Sequence, residues 1–304
     1  MATITVTNLQ EHEIIKKGQF DQYNTVNLVV PNNIRVIDDS AFAGFPNLES
    51  VSFENNSMLE AIGNGAFARC EHLKFVKLPN RIRAIGDDAF FGCEMLATVQ
   101  IERCNQIETM GKRAFWRVGY GCKCKPSSII FSSQFKRMGD STFYECKIFN
   151  VADFSKVLQL KEIPENAFYK ANIKKVIMPT SGCIKKIGKS AFSEALLSEI
   201  VIPASGIVSI DDSAFWSTSL KDFDFRGVKH IGFNAFTGIL DLHLKTATLP
   251  TDCQFERSSF SHDCQIYKKD MPLLEPYDSS SFLSEENAES LGDKLKSFFG
   301  RFKK

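Results

Sequence analysis

An α/β solenoid is the fold class this sequence predicts: a right-handed superhelix of about nine to ten units of 21–28 residues, with a parallel sheet on one face. Three observations predict it. The first is an excess of phenylalanine, 27 Phe against 6 Tyr and 2 Trp in 304 residues. The second is spacing: Phe42, Phe67, Phe90, Phe115, Phe143, Phe168, Phe192, Phe215 and Phe236 follow one another at intervals of 25, 23, 25, 28, 25, 24, 23 and 21 residues. The third is what stands at fixed offsets before each. Ala precedes the Phe in every unit but one, where Thr142 stands. Five residues before it come Ile37, Ile62, Ile85, Met110, Met138, Ile163, Ile187, Ile210 and Ile231, and eight before it an Ile, Leu, Val or Phe, from Ile34 to Val228.

Each element of the unit has a local reason. Stretches such as Val76-Lys77-Leu78-Pro79, Val99-Gln100-Ile101 and Ile200-Val201-Ile202-Pro203 alternate apolar and variable residues, the signature of a strand, and Pro ends the pairing. Four residues before the anchor stand Gly63, Gly86, Gly111, Gly139, Gly188 and Gly232, with Asp38, Pro164 and Asp211 in the remaining units. These read as turn residues, chosen for positive or preset φ. After the anchor, a segment such as Ala66 to Leu73 has room for one or two helical turns. A unit of this kind cannot bury its own apolar face, so neighbours stack and their Phe, Ile and Leu fill one continuous interior.

The string Ile-Gly-x-x-Ala-Phe-x-x-Cys-x-x-Leu-x-x-Val-x-Leu-Pro, from Ile62 through Pro79, resembles the BspA-like leucine-rich repeat. The resemblance covers about residues 24–244. It implies a leucine-rich-repeat solenoid of a family found in bacteria and microbial eukaryotes, often in surface adhesion and host-interaction proteins.

Outside that span the pattern changes. Residues 1–23 read as an N-terminal cap, and 245–269 as a degenerate repeat or C-terminal cap containing Phe260 and Cys264. Residues 270–290 hold Asp270, Glu275, Asp278, Glu285, Glu286 and Glu289 with no base, an acidic, Ser-containing linker. In 291–304 the sign reverses, and Leu291, Leu295, Phe298, Phe299 and Phe302 recur at helical spacing against a basic face. That tail has three open readings: a fold-back cap, an interfacial membrane helix, or a helix docked in a partner's groove. Within the repeats, Gly119 to Pro126 is an insertion, expected as a surface loop, and Asp153 to Val157 extends the next unit.

Composition narrows the function. Lys+Arg 37 against Asp+Glu 36 leaves a net charge of +1, which argues against nucleic acid as a partner. The first twenty residues have no apolar signal stretch, and 9 scattered Cys suit reduced thiols, so the location expected is cytoplasmic, with peripheral membrane attachment next and the cell surface last. Cys104, Cys122 and Cys124, or Cys253, His262 and Cys264, lack the paired spacing of a structural zinc site. Cys70, Cys93 and Cys146 fall three residues after an anchor and read as core positions. No nucleophile, phosphate-loop or dinucleotide motif appears, and no cofactor or metal is expected.

What remains is a non-enzymatic module that binds a protein partner through the sheet face of its repeats. Strand residues flanking the central apolar one point outward. They place Phe75, Lys77, Gln100, Ile130, Lys175, Ile177, Glu199, Asp222, Asp224 and His243 on a presumed concave face, with Phe75, Ile130 and Ile177 as apolar anchors. The alternatives are a peripheral membrane scaffold recruited by the basic tail, and a surface adhesin.

Overall fold

The computed structural model describes residues 3–5, 13–101, 106–203, 206–238 and 244–270. Each turn of the chain crosses three walls. The first carries the longer strands: Thr3–Thr5, Asn27–Val30, Ser50–Phe53, Phe75–Lys77 and Thr98–Gln100 form one parallel sheet in that order, and Ser127–Ile130, Phe149–Asp153, Lys175–Ile177 and Glu199–Val201 form a second. Thr246–Leu249 and Gln265–Lys268 pair at the same offset near the end. The second wall carries two-residue strands, six from Ile14–Ile15 to Arg137–Met138 and five from Glu162–Ile163 to Gln254–Phe255.

The third wall is the return around the anchor Phe, and here the structure departs from the helix the spacing suggests. Among the described residues the only helix is a single 3-10 turn, Arg257–Ser259. Residues two before and two after the anchor have left-handed φ, as in Arg113 (52°), Arg117 (56°), Ser141 (57°) and Glu145 (53°). An α-helix of L-residues cannot continue through such positions, each costing about 1–2 kcal/mol without glycine. What they gain is direction, because the N–H groups are turned along the solenoid to the next unit. Phe67 donates to the Ala89 carbonyl at 2.8 Å, Phe115 to Thr142 at 2.8 Å and Phe168 to Ala191 at 2.7 Å. The return is therefore a third ladder rather than a helix.

Beneath it the anchors form a column of stacked rings. Phe42 to Phe236 lie 5.1–5.4 Å apart between centroids, and the column continues one ring further at each end, to Phe20 and Phe260. The rungs therefore number about eleven rather than nine to ten, starting at Ile15, which pairs with Ile37 in the region read as a cap. Tyr or Trp would carry a polar atom into this dry column, where only an apolar ring needs no partner. Two hydroxyls that enter it are bonded: buried Thr142 donates to the Gly111 and Gly139 carbonyls at 2.9 and 2.7 Å, and Ser259 to Ile231 at 3.2 Å. The glycines four before the anchor also have a different reason from the one the turn pattern suggests. None has positive φ; instead, a Cβ on Gly139 would stand 2.3 Å from the Lys112 nitrogen, and one on Gly111 2.4 Å from that of Asp87. Glycine is needed there for the approach of successive backbones.

The insertion separates the two long-strand sheets after Thr98–Gln100, and the short-strand wall breaks one rung later, after Arg137–Met138. Return ladder and ring column cross both breaks, so the buried side chains remain one cluster from Ile15 to Cys264.

Candidate interaction surface

Register decides which outward residues meet. Ser128, Val151, Lys175 and Glu199 stand side by side in one row of the second long-strand sheet, and Ile130, Asp153, Ile177 and Val201 in the next. Lys175 is engaged with Glu199 at 2.6 Å, and Asp153 accepts the Ser155 N–H at 2.8 Å. Ile130, 46% exposed, and half-buried Ile177 thus flank a carboxylate instead of merging into an apolar patch. Phe75 lies in the first sheet, between Ser50 and Thr98, with Lys77 beside Gln100, so the three expected apolar anchors are not one surface.

The acidic end of the expected face is absent as such. No strand forms around Asp222 and Asp224, and Asp224 is gripped by Arg226, whose Nε is 2.9 Å from both carboxylate oxygens. A two-residue loop engaging its own carboxylate replaces the strand pairing that would have aligned these acids. His243 and the tail residues Leu291, Leu295, Phe298, Phe299 and Phe302 lie outside the described residues.

A different row stands on the return wall. The residue after the anchor points outward, and in four consecutive units it is aromatic: Phe91, Trp116, Tyr144 and Tyr169, all half-buried. Phe91 and Trp116 have centroids 5.9 Å apart, Trp116 and Tyr144 stack at 4.0 Å, and Tyr144 and Tyr169 at 4.7 Å. The insertion adds to this surface. Gly119 takes φ of +73° and donates to Cys93, Gly121 donates to Glu94, and Tyr120, 48% exposed, lies with its ring 4.4 Å below the Arg117 guanidinium. Arg117 is paired in turn with Glu94 at 3.1 Å, and the Tyr169 hydroxyl donates to Glu194 at 2.6 Å. Burial and the Glu194 bond push the Tyr169 phenol up, so it stays a donor. Trp, Tyr and Arg are the side chains that most often dominate binding surfaces. The signal was present in sequence, as four aromatic residues immediately after the anchor, but it lies on a segment whose outward direction depends on the left-handed turns.

The thiols carry no such surface. Cys70 and Cys93 are core residues whose Sγ donates to the Phe42 and Phe67 carbonyls at 3.0 and 3.1 Å, and burial pushes Cys70 and Cys146 up to about 12. Cys122, beside Cys124 in the insertion, is pushed up to about 12 by burial and by its neighbouring thiol. Among the described residues no group of three or more His, Cys, Asp or Glu could hold a metal ion, and no helix is long and apolar enough to cross a membrane.

The model of the BspA type leucine-rich repeat region matches this sequence in six copies, over residues 13–148, 120–243 and 161–287. The chain belongs to that family. Among solved structures it is similar to a leucine-rich repeat protein from Bacteroides ovatus, 26% identical, with a TM-score of 0.59, over 81% of this chain. This BspA-type chain spans 66% of the length of that protein. Similarity also extends to a leucine-rich repeat protein of T. pallidum, with 20% identity, a TM-score of 0.48, and 60% and 80% of the two chains covered. A leucine rich cell surface protein from Faecalibacterium prausnitzii has 20% identity and a TM-score of 0.41 over 85% and 83%. No curated protein matches the sequence.

Proposed function

We propose that this BspA-type solenoid is a non-enzymatic module that binds a protein partner, and that the return-wall row Phe91, Trp116, Tyr144 and Tyr169, with Tyr120 and Arg117 at its side, is the centre of the binding surface. The observation that carries the reading is the row itself: four half-buried aromatic side chains in successive units, where neighbouring units place Ala68 and Ser193. Nothing in the ring column requires them, because the core is closed beneath by Phe90, Phe115, Phe143 and Phe168, all fully buried. Rigid rings give up little conformational entropy on binding, and the Arg117, Glu94, Glu145 and Glu194 side chains around them supply a polar rim.

Ile130, exposed on the second long-strand sheet near Ile177, favours a second reading in which that sheet face takes the partner. One comparison separates the two. A partner identified by proximity labelling in the native cell is titrated against the wild-type chain, Trp116→Ala/Tyr144→Ala and Ile130→Ser/Ile177→Ser. Loss of about 2 kcal/mol or more, roughly thirtyfold in Kd, is expected for the aromatic pair with the sheet pair unchanged. The reverse outcome assigns the sheet face, and undiminished binding by both sinks the proposal.

A further inference from the structure

Seven residues before each anchor, on the short-strand wall, runs a row of exposed or half-exposed side chains: Glu13, Arg35, Glu60, Arg83, Glu108, Lys136, Lys161, Lys185, Val208 and Lys229. On either side of the break in this wall, backbone bonds hold successive members on adjacent rungs, Arg35 to Glu13 at 2.7 Å in the first part, Lys185 to Lys161 at 2.7 Å and Lys229 to Val208 at 2.8 Å in the second. In the first six the sign alternates and the row neutralises itself: Arg35 reaches Glu13 at 3.5 Å and Glu60 at 2.7 Å, and Glu108 takes Arg83 and Lys136 together. From Lys136 onward the alternation stops. Lys161 and Lys185 have no ion pair among the described residues, nor does exposed Lys156, five residues before Lys161 in the chain. Lys229 leans on Asp252 at 3.5 Å, and nearby Asp211 is occupied by Lys186 at 2.8 Å. One exposed apolar side chain, Val208, interrupts the lysines, and exposed Leu158 stands three residues before Lys161 in the chain.

We infer that this lysine row is the docking site of the chain's own acidic segment, residues 270–290. Three observations select that occupant. The segment holds six acids and no base, interspersed with Leu273, Leu274, Tyr277, Phe282 and Leu283, the complement of a row of lysines broken by Val208. It also starts at the right place. Asp270 accepts the Thr251 hydroxyl at 2.7 Å, and Gln254, three residues on, donates to Lys229 at 2.8 Å, so the chain leaves the described fold beside the last rung of the row. The reach fits as well. Rungs spaced about 4.8 Å apart put Lys185 about 14 Å and Lys161 about 19 Å from the Gln254 rung, which lies one past Lys229. An extended chain advancing about 3.3 Å per residue brings Glu275 level with Lys185 and carries Asp278 past Lys161. Docking restores along the second half of the row the alternation that the first half contains within its own units.

The test is zero-length carbodiimide cross-linking of the full chain in low salt, read by mass spectrometry on the monomer. The outcome expected is amide bonds from Lys161 and Lys185 to acids between Glu275 and Glu289, lost in 0.5 M NaCl and lost in Lys161→Glu/Lys185→Glu, with the thermal melt of that variant showing an intact fold. Adding Glu275→Lys/Asp278→Lys to the charge-reversed row restores the links. Links spread equally over distant lysines such as Lys74 and Lys112, links confined to dimers, or none from the row would each overturn the inference. The aromatic row is untouched by these variants, so partner binding reports separately on the proposed function.

Discussion

The first six and the last five units of the solenoid are built on the same column of rings but carry different outer rows. In the first, the position seven before the anchor alternates from Glu13 to Lys136, and neighbouring rungs pair their charges. In the second, the same position reads Lys161, Lys185, Val208, Lys229 and Cys253, and no acid falls between the lysines. A solenoid repeats each offset at strand spacing, so a charged position always faces itself one rung away. Alternation is then the arrangement that satisfies itself, and a run of one sign leaves charge for something outside the repeats. The internal architecture of the solenoid is uniform, and its surface is not.

The largest expected effect tests the uniformity. Phe90→Ala in the first half and Phe192→Ala in the second each remove a fully buried ring stacked at 5.3–5.4 Å on a neighbour, and both should cost about 3–5 kcal/mol in chemical denaturation. A large difference between them would break the idea of a shared spine. Gly139→Ala comes next, at about 3 kcal/mol, because its Cβ would meet backbone 2.3 Å away where no side chain can yield. It lies at the last rung before the short-strand wall breaks, and increased amide exchange should centre there.

Smaller effects sharpen the difference between the rows. Arg83→Glu places three acids in succession, Glu60, residue 83 and Glu108, and makes the first half resemble the second. A loss of about 0.5 kcal/mol is expected, reduced by salt, since the Arg83 side of the pair is largely solvent-exposed. Acid should also act on the first half. Bonds from Lys136 and Arg83 hold the Glu108 carboxyl below its ordinary 4.5, so their stabilisation is present above that value and is lost as pH falls through the lowered folded value. Thermal melts between pH 7 and 3 should show that slope flattened in Glu108→Gln. The smallest change is Val208→Glu, which sets an acid between Lys185 and Lys229 and should stabilise by about 0.3 kcal/mol at low salt.

Much of this was legible in one dimension because the fold is nearly one-dimensional. Phe42 to Phe236 share an offset, and an offset shared between units is a contact between rungs; Ala66, Ile62 and Cys70 follow for the same reason. The aromatic run from Phe91 to Tyr169 and the charge alternation from Glu13 to Lys136 were equally present as fixed-offset strings. They become surfaces only once the direction of each offset is known. That direction came from backbone geometry. Left-handed φ at Arg113 and Arg117 turns the return into a ladder and sends Trp116 outward, although neither residue advertises such a conformation. Gly139 looked like a turn residue and is a residue of close approach.

The repeat, the ring column, the buried thiols and the family to which the chain belongs can all be read from the sequence, since each rests on residues recurring at one offset. Tertiary structure alone decided that the returns are not helical, that Phe75 and Ile130 occupy separate sheets, and that Asp224 is bound to Arg226 instead of facing outward in a strand. The physical reason is the same in each case. Periodicity records which residues lie above one another, whereas the path of the backbone between them, set by φ and by how closely successive turns approach, decides which way they face.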